Sequence, residues 1–172
     1  FATFENSPVG LADGVVFLMP FDLPGVSKGK PLEKIGQRAL NQGEIFFDNV
    51  EVPAQFMLAQ GPEAYPFVWE MNLKGANIAM GQQFVGVARA AYELALDYAR
   101  QWVQGGVPII QHQNVKSRLF GMFQKLEAAR ALVRRVAIAD ATLPGGVPFQ
   151  HAAATKVLAT QTAFEIAHDA IQ

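Results

Sequence analysis

The feature that most constrains this chain is a change in hydrophobic period at Gly61-Pro62. Before it, short runs of β-branched and aromatic residues alternate with proline and glycine, which is typical of strands and turns. After it, apolar residues recur every three or four positions over long stretches, which is typical of amphipathic helices. This order predicts an α+β fold, mainly α, in which a short β segment (1–60) precedes a domain of three long antiparallel helices (61–172).

Two strands are predicted before the boundary. Residues 14–20 form an apolar run between glycine and proline, and residues 43–52 form a run rich in β-branched and aromatic side chains that ends before Pro53. The glycine- and proline-containing residues 28–31 mark a turn in the connection between them.

Three helices are predicted after the boundary. The first begins near Phe67 and ends at a Gly105-Gly106 stop, the second ends before Leu143, and the third begins at about Pro148. The side chains predicted to face the core are, helix by helix, Phe84, Val87, Ala88, Ala91, Leu94, Ala95, Tyr98 and Trp102; then Val115, Leu119, Met122, Phe123, Leu126, Leu132 and Val136; then Ala153, Val157, Phe164, Ala167 and Ile171.

The charged fraction of 17% is low for a chain of 172 residues that is 51% hydrophobic. An ordinary globular domain has about 25% charged residues, so several helical faces are expected to pack against something. The predicted partner is a second copy of the chain, as a homodimer or a higher homo-oligomer. The 14 basic and 15 acidic residues nearly balance, which argues against nucleic-acid and anionic-lipid partners.

Cysteine is absent, which excludes disulfides, thiolate metal sites and a cysteine nucleophile. The three histidines lack close ligand spacing, so no metal site is predicted. No apolar run approaches the roughly 18 residues that a bilayer span needs, and no signal peptide opens the chain. We therefore expect a soluble, intracellular protein in the cytoplasm, or in the mitochondrial matrix if the source is eukaryotic.

A series of short motifs resembles the acyl-CoA dehydrogenase family, and it covers nearly the whole chain in the family's order. Each motif is weak alone, but together they make the resemblance specific. The motifs are Pro24-Gly25, Gly36-Gln37-Arg38, Val50-Glu51-Val52-Pro53, Gly86-Val87-Ala88, Tyr98-Ala99, the run from Pro108 to Val115, and the final Ala167 to Gln172.

The resemblance implies that residues 1–60 are the end of a middle β-domain and that residues 61–172 are an incomplete C-terminal helical bundle. It also implies an FAD-dependent oxidoreductase of fatty acid metabolism, which desaturates the Cα–Cβ bond of an acyl-CoA and passes electrons to an acceptor. In the family a glutamate removes the α-proton, and it usually follows a Gly-Gly loop that would lie beyond Gln172. A minority of members place it at the position of Ala76, which cannot accept a proton. No catalytic residue is therefore predicted, and the chain is expected to be inactive as it stands.

The resemblance further implies contacts to the FAD of a neighbouring subunit. The matching positions are Trp102, Gln104, Gly105, His112 and Gln113, and Gln172 stands just before the flavin loop. Trp102 and Gly105 depart from the family, which has an arginine and a phenylalanine there. Asn77 stands where the family often has an arginine that holds the substrate.

Each of these residues also has a plain structural interpretation. Gln104 could be a polar residue beside a helix stop, His112 and Gln113 could be first-turn residues of the second helix, and Trp102 could belong to the core. Two other functions stay open for the whole chain. One is a non-catalytic helical binding or assembly module, and the other is a related flavin oxidase or monooxygenase.

Overall fold

A computed structural model describes residues 1–4, 6–8 and 13–172. The chain forms two compact units, Phe1–Trp69 and Glu70–Gln172. Along the chain, the first unit ends nine residues after the domain boundary predicted from the sequence. The assignment of domains 1–60 and 61–172 stays a prediction.

The first unit contains a three-stranded antiparallel sheet in the order β1-β2-β5. Its strands are β1 (Ala2–Thr3), β2 (Gly14–Phe17) and β5 (Met57–Gln60). The strand predicted at residues 14–20 is therefore present, and its Val15 and Val16 are buried. A register shift between Val16 and Phe17 interrupts the pairing with β5.

A separate hairpin pairs β3 (Val26–Lys28) with β4 (Ile45–Phe47). The strand predicted at residues 43–52 is thus much shorter than expected. Asn49 adopts a positive φ of 46°, a left-handed conformation that an extended strand cannot continue through.

The three helices are α1 (Gly61–Gln101), α2 (Gln113–Thr142) and α3 (Phe149–Ile171). The predicted end of α2 and start of α3 are confirmed. The predicted start of α1 near Phe67 is wrong, because the helix begins at Gly61 and continues through Pro66. Pro66 removes one backbone donor, and the long helix that follows tolerates this loss. None of the helices in the described part is both long and apolar enough to cross a bilayer.

Two buried clusters show that α2 runs antiparallel to α1 and α3. One cluster joins the middle of α1 to the end of α2 and the start of α3, and the other joins the end of α1 to the start of α2 and the end of α3. The first contains Ile78, Val136, Val147 and Ala152, and the second contains Ala88, Ala99, Leu119, Met122, Leu126, Ala163 and Ile166.

The buried faces of α1 and α3 differ from the predicted ones. Val87, Leu94 and Tyr98 of α1 are exposed, as are Val157, Phe164 and Ile171 of α3. On α1 the prediction is correct for Phe84, Ala88, Ala91 and Ala95, which pack in the core beside Val85, Tyr92, Leu96 and Ala99. The core side of α3 carries Ala152, Thr155, Ala159, Thr162, Ala163 and Ile166. In α2 the prediction is correct for Leu119, Met122, Leu126 and Val136, whereas Phe123 is 43% exposed.

The turn between α2 and α3 is held by one carboxylate and one lysine. Asp140 accepts a hydrogen bond of 3.0 Å from the backbone N–H of Val147 and pairs with Lys74 of α1 at 3.3 Å. The Lys74 ammonium also donates to the carbonyl of Gly145 at 3.3 Å. We call this group the loop clamp.

Candidate functional site

The antiparallel order brings the end of α1, the start of α2 and the end of α3 to the same end of the helical unit. They enclose a cavity of about 520 Å³. Its polar and aromatic lining consists of Tyr98, Trp102, Gln104, Asn114, Arg118, Asp169 and Gln172. Three of the side chains predicted to contact a cofactor, Trp102, Gln104 and Gln172, therefore meet in one place.

Trp102 follows the last residue of α1 and is held by its backbone. Its N–H donates to the carbonyl of Tyr98 at 2.9 Å, and its own carbonyl accepts from the N–H of Ile109 at 2.8 Å. The indole stacks on the Tyr98 ring, with centroids 5.6 Å apart and planes at 13°. Trp102 is 51% exposed, so the prediction that it faces the core is wrong.

Gly105 and Gly106 form the turn of a small hairpin instead of a simple helix stop. They connect β6 (Val103–Gln104) to β7 (Val107–Pro108), and both have positive φ, 67° and 84°. A two-residue hairpin loop with positive φ at both positions is a type I′ turn, which favours glycine. A phenylalanine at position 105 would be strained there, so the backbone accounts for the glycine at this position.

The hairpin is joined to the start of α2 by His112. Its Nε2 lies 3.0 Å from the carbonyl oxygen of Gln104. A carbonyl only accepts, so Nε2 carries the hydrogen and donates it. The His112 side chain makes no capping bond to α2. The His112 side chain therefore holds Gln104 in place at the cavity and does not cap α2.

Three predicted site residues do not line the cavity: His112, Gln113 and Asn77. Gln113 is the exposed first residue of α2 and does not line the cavity. Asn77 lies about 37 Å from Trp102 along the axis of α1, at 1.5 Å per residue. Its side-chain amide donates to the carbonyl of Leu73 at 2.7 Å, so it is used locally within the helix.

Four polar or aromatic lining residues were not predicted from the sequence: Tyr98 as a site residue, Asn114, Arg118 and Asp169. Asn114 and Arg118 are four residues apart, which places them on one face of α2. Arg118 forms no ion pair with any residue of the described chain. The pairs Tyr98/Trp102 and Asn114/Arg118, each at a spacing of four, were the available sequence signal.

Charges near the α3 side of the cavity are partly paired. Lys125 of α2 binds Glu165 of α3 at 2.6 Å. This hydrogen bond raises the pKa of Lys125, and the negative charge of Asp169 adds a smaller contribution in the same direction. Within residues 1–4, 6–8 and 13–172, no group of three or more acidic, histidine or cysteine side chains is placed to hold a metal ion.

The chain is similar to acyl-CoA dehydrogenases in both sequence and structure. It is 35% identical to an acyl-CoA dehydrogenase of Bacillus subtilis over 91% of this chain and 40% of that protein. It is 34% identical to the cyclohexane-1-carbonyl-CoA dehydrogenase of Geobacter metallireducens over 99% of this chain and 43% of that protein. The structure superposes on butyryl-CoA dehydrogenase from Megasphaera elsdenii with a TM-score of 0.89 and 30% identity, covering 98% of this chain and 43% of the other.

The chain therefore spans about two fifths of the length of the curated relatives it matches. The family model for the acyl-CoA dehydrogenase C-terminal domain matches residues 68–172, which is more than half of the chain. The resemblance seen in the motifs is confirmed, and so is the fold class of short strands followed by three helices. This chain belongs to the acyl-CoA dehydrogenase family.

Proposed function

We propose that the chain is part of an FAD-dependent oxidoreductase that desaturates the Cα–Cβ bond of an acyl-CoA thioester and passes the electrons to an acceptor. The observation that carries this proposal is the cavity where Trp102, Gln104 and Gln172 meet. In the family these positions contact the FAD of a neighbouring subunit. A homo-oligomer is therefore part of the proposal, because the cavity end of one copy would complete the flavin site of another.

The residues at the cavity fit FAD by their chemistry. Gln104, Gln172 and Asn114 carry amide donors, Arg118 carries a guanidinium, and Trp102 offers an aromatic ring. Donors of this kind bind a pyrophosphate, and the ring stacks on a heterocycle. When bound, FAD would accept the hydride from the β-carbon of the substrate. The role of this chain is to bind and orient the cofactor at the end of the bundle.

The chain supplies no predicted base for the α-proton. Ala76 cannot accept a proton, and Asn77 is bonded to its own helix. Proton abstraction needs a carboxylate within hydrogen-bond reach of the substrate. We therefore infer that the 172 residues alone do not oxidise acyl-CoA, even with FAD present. A dye-linked assay with acyl-CoAs of several lengths tests this, and turnover above the protein-free control would contradict it.

A chimera tests the proposed function without the missing parts. Residues 1–172 would replace the matching segment of the M. elsdenii enzyme, which would supply the remaining domains and the base. We expect the chimera to purify with bound flavin and to reduce the dye with butyryl-CoA. A folded chimera with native helical content but no flavin would overturn the proposal. Oxygen consumption in place of dye reduction would favour a flavin oxidase or monooxygenase.

A non-catalytic assembly module is the second candidate, and the exposed apolar side chains favour it. Leu94 is 73% exposed on α1, and Phe164 and Ile171 are 77% and 85% exposed on α3. Faces of this kind are expected where helices pack against another chain. Intact mass and flavin absorbance of the natural protein distinguish the two, since a flavin-free protein of 18.7 kDa would favour the module.

A further inference from the structure

We propose that β4 (Ile45–Phe47) accepts an extended strand of a partner protein with the pattern basic, apolar, any residue, apolar, basic. The partner strand would add to the β3–β4 hairpin as its third strand. The site lies in the first unit and uses none of the residues that line the cavity of the helical unit. It does not depend on flavin or acyl-CoA binding.

The outer edge of β4 presents backbone groups that no other strand pairs with, since the sheet has only two strands among the described residues. On the inner edge, the carbonyl of Glu44 accepts from the N–H of Gly29 at 2.9 Å, and the N–H of Asp48 also donates to the β3 side, at 3.0 Å. Because backbone groups alternate in direction along a strand, those of Ile45 and Phe47 point to the outer edge. They offer two donors and two acceptors to an antiparallel strand.

β4 lacks the features that protect a sheet edge. A lysine, a proline or a bulge on an edge strand discourages pairing with another chain. Ile45–Phe47 contains none of these, and its side chains are 43%, 51% and 58% exposed. The outer edge of β3 is different, because the N–H of Val26 already donates to the carbonyl of Leu23 and Lys28 lies over the Phe21 ring. A two-stranded sheet is marginal alone, so β4 is the edge where a third strand would add.

Two carboxylates at the ends of β4 determine the charge of the partner. Glu44 and Asp48 lie on the same face as Phe46, because side chains alternate along a strand. Neither forms an ion pair within the described part of the chain, although Asn49 donates to Asp48 at 3.0 Å. Residues opposite them on an added strand would form non-hydrogen-bonded pairs, in which side chains lie closest together. Lysine or arginine at these two positions would therefore pair with the carboxylates.

A second copy of β4 does not meet this charge requirement. An antiparallel pair of two β4 strands centred on Phe46 would place Glu44 of each copy opposite Asp48 of the other. Like charges directly opposite each other destabilise a sheet. The charges therefore favour a basic partner strand over self-association through this edge.

The apolar positions of the partner follow from the other face of the hairpin. Ile45 and Phe47 lie on this face, opposite Lys28 and Val26 of β3. A groove of about 750 Å³ lies beside Ile45, and Lys28 and Phe21 are part of its lining. Apolar side chains at the second and fourth positions of the partner would cover Phe47 and Ile45. In strand addition of this kind, backbone hydrogen bonds supply affinity and alternate side chains supply specificity.

Peptide binding tests the charge requirement. The probe is the peptide Lys-Val-Thr-Val-Lys, blocked at both ends and titrated into the 172-residue chain, and the control Glu-Val-Thr-Val-Glu reverses only the charges. We expect the lysine peptide to bind about tenfold more tightly. The double variant Glu44→Gln with Asp48→Asn should remove this difference. Glu63→Gln, at an exposed position outside the hairpin, should leave it unchanged.

Backbone pairing is tested by N-methylation and by amide exchange. Methylating the nitrogen of either valine, whose N–H would face β4, should weaken binding about tenfold. Methylating the threonine nitrogen, whose N–H would point away, should weaken it much less. In the complex, hydrogen exchange measured by NMR should slow at the amides of Ile45 and Phe47, and should change less at Phe46, which already bonds to β3.

Four results would overturn the proposal: no binding of the lysine peptide, equal binding of the two peptides, equal effects of methylation at valine and threonine, or unchanged exchange at Ile45 and Phe47. Without peptide, exchange at these two amides should not depend on protein concentration. Slower exchange at higher concentration, together with a dimer in light scattering, would assign the edge to a second copy and would also overturn the proposal.

Discussion

The two ends of the helical unit use their charged side chains in opposite ways. At the loop clamp, Asp140 and Lys74 bind each other and the backbone of the α2–α3 turn, and their side chains are only 25% and 15% exposed. At the cavity, Arg118 and Asp169 each lack an ion-pair partner within the described chain.

The difference shows which end contributes to stability and which is suited to binding. Partly buried charges that are paired and hydrogen-bonded are costly to disturb, because removing one partner leaves the other poorly solvated. Unpaired charges on a cavity wall contribute little to folding and remain available to a ligand. Substitutions at the loop clamp should therefore change unfolding, and substitutions at the cavity should change binding.

The largest expected effect is that of Gly146→Ala at the loop clamp. Gly146 has a φ of 71°, and a Cβ added there would collide with Asp140 Oδ1 and lie 2.8 Å from Lys74 Nζ. Backbone strain and loss of the clamp should together lower the free energy of unfolding by about 3 kcal/mol. Urea denaturation followed by circular dichroism measures this change.

Gly145→Ala is the matched control for that experiment. Gly145 has nearly the same φ, 78°, and apart from its chain neighbours no atom of the described chain lies within 4 Å of a Cβ added there. It should cost only the backbone strain, about 1 kcal/mol. Equal losses in the two variants would show that the clamp itself contributes nothing.

Self-association should depend on the half of α1 nearer the cavity. Leu94 is exposed there, whereas Ile138, which is 59% exposed, lies near the loop end of α2. If the exposed face of α1 closes a symmetric dimer, Leu94→Gln removes an apolar contact twice and should raise the dimer dissociation constant at least tenfold. Ile138→Gln should leave it unchanged. Light scattering over a concentration series decides between a dimer and a monodisperse monomer, and the latter would refute the interface.

The helix ends were predictable because their signals are local. Leu143-Pro144 and Pro148 interrupt the helical pattern at the places where α2 ends and α3 begins. The start of α1 was not predictable in the same way, since Pro66 is a breaking signal that a 41-residue helix overrides. Local chemistry predicts where a helix can stop, and tertiary packing determines whether it does.

The buried faces were harder to predict than the helices. On α1 one apolar stripe contains Val87, Leu94 and Tyr98, and a neighbouring stripe contains Tyr92 and Leu96 at equivalent spacing. Periodicity alone cannot choose between two stripes of equal period. The second packs in the core beside Ala88, which was predicted correctly, and Ala99, whose small side chains let the other helices approach closely.

The candidate site was predictable only where a motif existed. Trp102, Gln104 and Gln172 were expected as contacts and all line the cavity, although their role in binding FAD stays a prediction. Arg118 stands beside other polar residues in the sequence, and nothing there distinguishes it from a solvated lysine or arginine. Its place at the cavity wall and its lack of a partner depend on where α1 and α3 end.

Acid should weaken the loop clamp. The hydrogen bond from the Val147 backbone, and then Lys74, lowers the pKa of Asp140 below the usual value. A group with a depressed folded-state pKa stabilises the protein above its unfolded pKa, about 3.9 for aspartate. That stability is lost as the pH falls through the lower, folded value. The stability difference between wild type and Asp140→Asn should be full at pH 7 and should shrink below about pH 4. A difference that stays constant from pH 7 to pH 3 would contradict this linkage.

The smallest expected effect is that of the ion pair Lys125–Glu165. This pair tests the comparison between the two ends, because by distance alone it should be stronger than the ion pair of the loop clamp. Its charged atoms are 2.6 Å apart, closer than the 3.3 Å of Lys74–Asp140, yet its side chains are 44% and 51% exposed. Solvent screening and side-chain entropy limit exposed pairs to about 0.5 kcal/mol.

Double-mutant cycles with Lys125→Gln and Glu165→Gln, and with Lys74→Gln and Asp140→Asn, measure both coupling energies by urea denaturation. We expect the Lys74–Asp140 coupling to be the larger despite its longer distance, because burial of the pair and the added backbone hydrogen bonds strengthen it. A larger coupling for Lys125–Glu165 would mean that distance outweighs burial, and the contrast between the two ends would then have to be explained without screening.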